Sequence, residues 1–295
     1  MVNDQFKNLR GIYSALITPM RPDEEIDYDC LQSVVEFQIN QGVEGFYCCG
    51  SSGEALLLSL EERKEIVETV INQVGEKVPV IVHVGTLRTK DTINLTLHAM
   101  EHGAKAVSMI PPYYYNFSQS EIVGYYEDIL KATSAPIIIY NIPQFTGISF
   151  NKENAKSLFE HDYVIGIKHT SSDLYGLERM HQSYPEKIFF NGFDETFLSA
   201  LAAGADSAVG TTVNLFFPRF KRIRALFNDG NLEKALVEQS IVNTCVEIMV
   251  KYGIFNSVKY AFSLLGLESG QCRRPFRPLT NEAKREIESI MEKFA

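Results

Sequence analysis

The chain has 295 residues, 45% of them apolar and 22% charged, so it can bury a sizeable core, and no uncharged apolar run is long enough to span a membrane. Its 37 acidic against 28 basic side chains leave a formal charge of -9, which argues against nucleic acid and anionic membrane surfaces, since both need a basic footprint. The opening MVNDQFKNLRG has no apolar core of the signal-peptide kind, and Cys30, Cys48, Cys49, Cys245 and Cys272 are odd in number without a CxxC pair; a reduced, cytosolic setting is expected, without a structural zinc site.

Short β-rich runs recur along the chain with helical patterns between them. In order, the predicted strands are 12–18 (IYSALIT), 43–50 (VEGFYCCG), 78–85 (VPVIVHVG) and 106–110 (AVSMI), then 136–140 (PIIIY), 164–169 (VIGIKH), 188–192 (IFFNG) and 206–210 (DSAVG). They are near-continuous apolar runs, which suits parallel strands buried on both faces. Between the second and third runs, SLEERKEIVETVINQV (59–74) repeats apolar residues at helical spacing, and Ser59 followed by Glu62 reads as a capping box that starts the helix.

Eight strand-helix units predict an α/β fold, a (β/α)8 TIM barrel; a doubly wound open sheet is the rival architecture. Beyond Gly230 no strand signal returns. Helical patterns resume at LEKALVEQSIVNTCVEIMVKYG, around VKYAFSLLG and at NEAKREIESIMEKF, with the Pro- and Arg-rich connector GQCRRPFRPL before the last. The expected division is a catalytic barrel over residues 1–230 and a C-terminal helical extension over 231–295, packed on the barrel.

In such a barrel the chemistry sits at the C-terminal ends of the strands. Strand 6 ends on Lys168, which is either a rim residue reaching water or an amine held inside; desolvation there favours the neutral, nucleophilic form that attacks carbonyl carbon. Tyr140, one strand earlier, is either a packed aromatic with a wet hydroxyl or a proton relay over the same cavity. The turn Gly50-Ser51-Ser52-Gly53-Glu54 after strand 2 offers hydroxyls and backbone N–H groups, a plausible carboxylate cradle, although short Gly-Ser turns are common. Glu54 reads as a buried acceptor tying that turn together. Asp194 and Glu195 after Gly192 either accept from a polyol or are ordinary first-turn acids. No Walker A, GxSxG or HExxH motif occurs. The six histidines are scattered, with His83 and His169 reading as core or supporting residues.

Taken together, GSSGE, PPYYY, YNIP, the strand-6 lysine and GFDE resemble the pyruvate-dependent class I aldolase superfamily of N-acetylneuraminate lyase and dihydrodipicolinate synthase, over nearly the whole chain. The segment Lys168-His169-Thr170-Ser171-Ser172-Asp173 is similar to the lyase group's K-x-T-x-x-D pattern, and GFDE to its sugar-binding turn. Dihydrodipicolinate synthases typically carry arginine two residues after the proline of their YNxP motif; here that residue is Phe145.

The resemblance implies a Schiff base between Lys168 and a 2-keto acid, with Tyr140 shuttling the proton during reversible cleavage of N-acetylneuraminate to N-acetylmannosamine and pyruvate. It implies that Ser51 and Ser52 hold the carboxylate, while Thr170, Gly192, Asp194, Glu195 and Thr211 line the polyol and N-acetyl side. Thr211 stands where many of the lyases have serine and keeps the hydroxyl. Tyr114 matches a tyrosine that reaches a neighbouring subunit's site, with register uncertain by one within PPYYY, in a homotetramer. No metal and no cofactor are expected, and the partners are small molecules. Other readings are a different 2-keto acid aldolase or dehydratase, and a non-catalytic keto-acid-binding barrel.

Overall fold

The structure, a computed structural model, describes residues 2–294. All eight predicted strands form, mostly shorter than their apolar runs: β1 Ile12–Ala15, β2 Gly45–Cys48, β3 Val80–His83, β4 Ala106–Met109, β5 Ile137–Asn141, β6 Val164–His169, β7 Ile188–Asn191 and β8 Ser207–Gly210. They are all parallel, and β1 pairs with both β2 and β8, so the sheet closes into a barrel and the open-sheet rival falls away. The helices that return the chain between strands are α1 Tyr28–Asn40, α2 Leu60–Val74, α3 Thr89–Glu101 and α4 Gln119–Thr133, then α5 Pro143–Thr146, α6 Lys156–Phe159, α7 Leu174–Ser183 and α8 Phe197–Ala202. Helix α9 Val213–Asn228 completes the ring, and α10 Leu232–Lys251, α11 Ile254–Leu264 and α12 Asn281–Phe294 follow it.

Local chemistry explains the boundaries. Ser59 Oγ accepts from the Glu62 N–H while the Glu62 carboxylate accepts from the Ser59 N–H, the capping box read from the sequence, and Ser118 with Glu121 repeats it on α4. Beyond Ala15 the chain stays beside β2 and then braces the turn that follows it. The Leu16 N–H donates to Tyr47 O, and Thr18 Oγ1 donates to Gly53 O at 2.8 Å.

Two apolar layers share the strands. An outer layer, including Val34, Val70, Ile139, Ile167 and Phe189, packs between barrel and helices; an inner one, including Tyr13, Tyr47, Ile138, Tyr140 and Phe190, fills the barrel. Strand β6 carries an irregularity that matters later. Ile137 pairs with Val164 but Ile138 pairs with Gly166, so Ile165 is an extra residue bulged out of register. Past the bulge, Ile138 and Tyr140 on the inner layer stand opposite Gly166 and Lys168, which therefore face inward. A Cβ on Gly166 would lie 2.3 Å from Ile188 O, so the bulge needs glycine there.

Helix α10 packs along α9 and against the turn after β7, which lays the C-terminal helices over the catalytic end of the barrel. All five cysteines are free, with Cys48 and Cys49 buried as small apolar residues. Among the described residues no helix is long and apolar enough to cross a membrane.

Candidate active site

Lys168 is 4% exposed, so the snorkelling alternative is settled against. Its Nζ lies 3.9 Å from the centre of the Tyr140 ring and 4.5 Å from that of Tyr47, so two aromatic faces flank the amine. Tyr140 is its cross-strand partner. Burial pushes the Tyr140 phenol up, but the Lys168 charge beside it and hydrogen bonding with Lys168 and Ser51 pull harder, and the net shift is downward. Burial pushes the Tyr47 phenol well up, and its hydroxyl donates to Ser108 Oγ at 3.0 Å. The two tyrosines therefore part ways, one eased toward proton release and the other kept neutral.

His83 stands edge-on to Tyr140, with ring centres 5.8 Å apart, and burial holds it well below its usual range, so it is a neutral packing partner. His169 ends β6 by placing Nε2 3.0 Å from Asp173 O and Nδ1 3.0 Å from Asn141 Nδ2. A carbonyl only accepts, so the proton sits on Nε2 and the amide donates to Nδ1. That fixes the turn in which Asp173 caps α7 by accepting from the Gly176 N–H.

Above Lys168 opens a cavity of about 360 Å³ lined by Ser51, Ser52, Tyr140, Lys168 and Thr170 on one side. Gly192, Asp194, Glu195 and Thr211 line the other, so nine of the ten predicted site residues converge on one space. Ser52 Oγ and Thr211 Oγ1 are 2.8 Å apart and join the two walls. Ser51 and Ser52 open a short 3-10 turn, where the first N–H groups have no acceptor behind them. Thr170 Oγ1 is buried without a well-formed hydrogen bond among the described residues, and its interaction with the Tyr140 phenol helps to pull that group down. A Cβ on Gly192 would come within 1.9 Å of that same oxygen, so the strand-7 turn closes on Thr170 only because it is glycine.

Asp194 serves the frame as well as the cavity. Its Oδ2 accepts from both the N–H and the hydroxyl of Thr212, each at 2.7 Å, which ties the β7 turn to the β8 turn. Burial pushes its carboxyl up to about 6, against the pull of the Thr212 donors. Glu54 behaves as read from the sequence: it is buried, its Oε1 meets Lys259 Nζ at 2.5 Å, and its Oε2 accepts from the Arg273 N–H at 2.7 Å.

Tyr114 does not join the cavity. It holds a left-handed φ of 78° and is 85% exposed, projecting from the loop after β4, while Tyr113 packs partly against the barrel interior. Sequence reasoning missed Tyr47, hidden in an apolar run, and the apolar wall of Val246, Val250, Ile254 and Phe255 that α10 and α11 lend to the cavity. For the wall, the signal was an apolar stripe near the end of α10; nothing in the stripe says which element it faces.

Comparison with known proteins agrees with this geometry. Residues 8–294 match the model of the dihydrodipicolinate synthetase family. An N-acetylneuraminate lyase of Rhizobium meliloti is 40% identical over 269 residues, covering 91% of this chain and 90% of that protein. The solved structure of CdNal from Clostridium difficile in complex with mannosamine superposes with a TM-score of 0.95 at 33% identity, over 97% of this chain and 99% of the other. An N-acetylneuraminate lyase from Fusobacterium nucleatum complexed with pyruvate gives 0.93 at 33% identity, over 97% of each chain.

Proposed function

This chain belongs to the dihydrodipicolinate synthetase family, and from that premise we propose that it is a lyase: a Schiff-base aldolase that reversibly cleaves N-acetylneuraminate to N-acetylmannosamine and pyruvate. The observation that carries the reading is the buried Lys168 amine, in register with Tyr140 beneath a cavity walled by hydroxyls. The curated relatives' names supply the substrate.

The neutral Lys168 amine adds to the C2 carbonyl carbon, and loss of water leaves an iminium. That cation lies between the faces of Tyr47 and Tyr140, which favour positive charge. The iminium draws the C3–C4 bonding pair into an enamine as the proton of the C4 hydroxyl passes to Tyr140, releasing the aldehyde. The enamine takes a proton at C3, and water returns to free pyruvate and the amine. Ser51 and Ser52, with the N–H groups that open their turn, hold the carboxylate. Uncharged donors of this kind bind an anion inside a protein of net charge -9. Thr170, Gly192, Asp194, Glu195 and Thr211 receive the polyol and N-acetyl group. Phe145, 67% exposed on α5, offers no charge for a second carboxylate, which disfavours aspartate semialdehyde chemistry. Each step runs on side chains and water, with no cofactor assigned. We place the enzyme in the cytosol as a homotetramer in which Tyr114 meets a neighbouring copy.

Incubation with pyruvate and borohydride tests the mechanism: a stable adduct on Lys168 by peptide mass spectrometry is expected. An adduct on a different lysine, or none, overturns it. Turnover across N-acetylneuraminate, 2-keto-3-deoxygluconate and aspartate semialdehyde tests the substrate, and activity on the last alone would overturn the assignment.

A further inference from the structure

Outside the catalytic cavity, one cluster of ligating side chains has chemistry the lyase reaction does not use. On the outer helical layer, Glu68 of α2 faces His98 of α3 and His102, the residue that caps α3, and one ligand atom from each lies within 4.8 Å of the others. The two histidines are four residues apart, so they share a face of their helix, and their rings stack with centres 4.1 Å apart. His98 Nε2 is 2.9 Å and His102 Nε2 is 3.7 Å from the same oxygen, Glu68 Oε1.

The hydrogen bonding poses a problem of charge. His102 Nδ1 lies 2.8 Å from His98 O, and a carbonyl only accepts, so Nδ1 carries a proton. A neutral His102 then points its Nε2 lone pair at a carboxylate oxygen. The two facing acceptors call for a bridging group, which a donating water, a second proton on the ring or a cation can supply. A proton puts positive charge on a ring stacked against another imidazole. A metal ion lets both rings stay neutral and satisfies all three lone pairs together.

The geometry also fits a metal. Ligands about 2.0–2.1 Å from a tetrahedral zinc lie about 3.3 Å from one another, and the two measured separations bracket that value. Anchoring the non-ligating ring nitrogen on a backbone carbonyl, as His102 does, is how metal-binding histidines are usually oriented. Side-chain exposures of 15% for His98, 36% for His102 and 43% for Glu68 leave a solvent path for the ion and for a completing water. We propose that Glu68, His98 and His102 form a zinc-type divalent metal site that staples α2 to α3, near the C-terminal end of α3 and so at the end of the barrel opposite the catalytic cavity.

The test is calorimetric titration of chelator-stripped full-length protein with Zn2+ at neutral pH. One ion per chain is expected, with affinity reduced at least about tenfold in His98→Asn, His102→Asn and Glu68→Gln, and unchanged in His161→Asn. Because a cluster variant can lose packing as well as ligation, unfolding midpoints are read with and without Zn2+. The wild type should gain stability on adding the ion, and the His98→Asn/His102→Asn double variant should gain none. Absence of saturable binding in the wild type, or equal binding by the double variant, overturns the proposal.

Discussion

The pair of Glu54 and Lys259 offers the sharpest test of how the C-terminal helices hold the site. Both side chains are 0% exposed, and Lys259 Nζ also donates to Gln271 O at 3.0 Å. Replacing Lys259 by methionine keeps most of the volume but leaves a buried carboxylate held by the Arg273 N–H and the Cys272 thiol, with no cation beside it. Breaking one side of a buried pair costs about 3–5 kcal/mol, because the surviving charge is desolvated without compensation. Glu54→Gln removes that charge and keeps an oxygen for Arg273. The double variant Glu54→Gln/Lys259→Met should therefore be less destabilised than Lys259→Met alone, with a coupling of about 2 kcal/mol. Urea unfolding at one fixed protein concentration measures all three variants, since association between copies would add to apparent stability. A functional corollary is a raised KM for the keto acid in Lys259→Met, because Glu54 directly follows the Ser51–Gly53 turn in a left-handed conformation, φ 59°. A cost under about 1 kcal/mol for Lys259→Met, or additivity of the two singles within about 0.5 kcal/mol, would refute the clamp.

Other outcomes follow from the same geometry. Asp194 has a folded value near 6 against 3.8 for the free side chain, so its buried charge lowers stability above pH 6, and that penalty fades as pH falls from 6 toward 4. Asp194→Asn should be more stable than the parent by about 3 kcal/mol at pH 8 and lose the advantage near pH 4; a difference constant across that range in denaturant titrations counts against the argument. Gly192→Ala meets Thr170 Cα and Cβ as well as its oxygen, so about 1–3 kcal/mol should be lost and Thr170→Ser should not rescue it; an unchanged melting midpoint would be incompatible. Tyr140→Phe should lower kcat by about 10²–10⁴-fold with Lys168 still buried, and a loss under threefold removes Tyr140 from the proton transfer.

The barrel was legible because apolar runs buried on both faces leave a plain imprint, and the strand-end residues came with it. Ser51, Lys168 and Gly192 sit where a parallel strand hands over to its loop, a position that sequence order alone defines. What escaped depends on packing between distant segments. Tyr47 looked like one more residue of GFYCC, and only the closed barrel shows that its ring faces Lys168. Lys259 looked like an ordinary helical lysine in VKYAFSLLG. Its neighbours on that face, Phe255 and Phe262, hinted at burial, but nothing local named Glu54 as the partner, 205 residues away. His98 and His102 read as scattered until α2 brought Glu68 beside them.

The bulge at Ile165 makes the site depend on parity as much as on identity. In an unbroken strand, inner Ile165 would be followed by an inward Ile167 and an outward Lys168, placing the ammonium among the helices and an isoleucine under the cavity. One supernumerary residue reverses that order for everything downstream of it on β6. Deleting Ile165 would restore plain alternation, with Val164 outward and Gly166 and Lys168 inward, so the bulge is the device that absorbs one extra residue without turning the nucleophile to the wrong side of the wall.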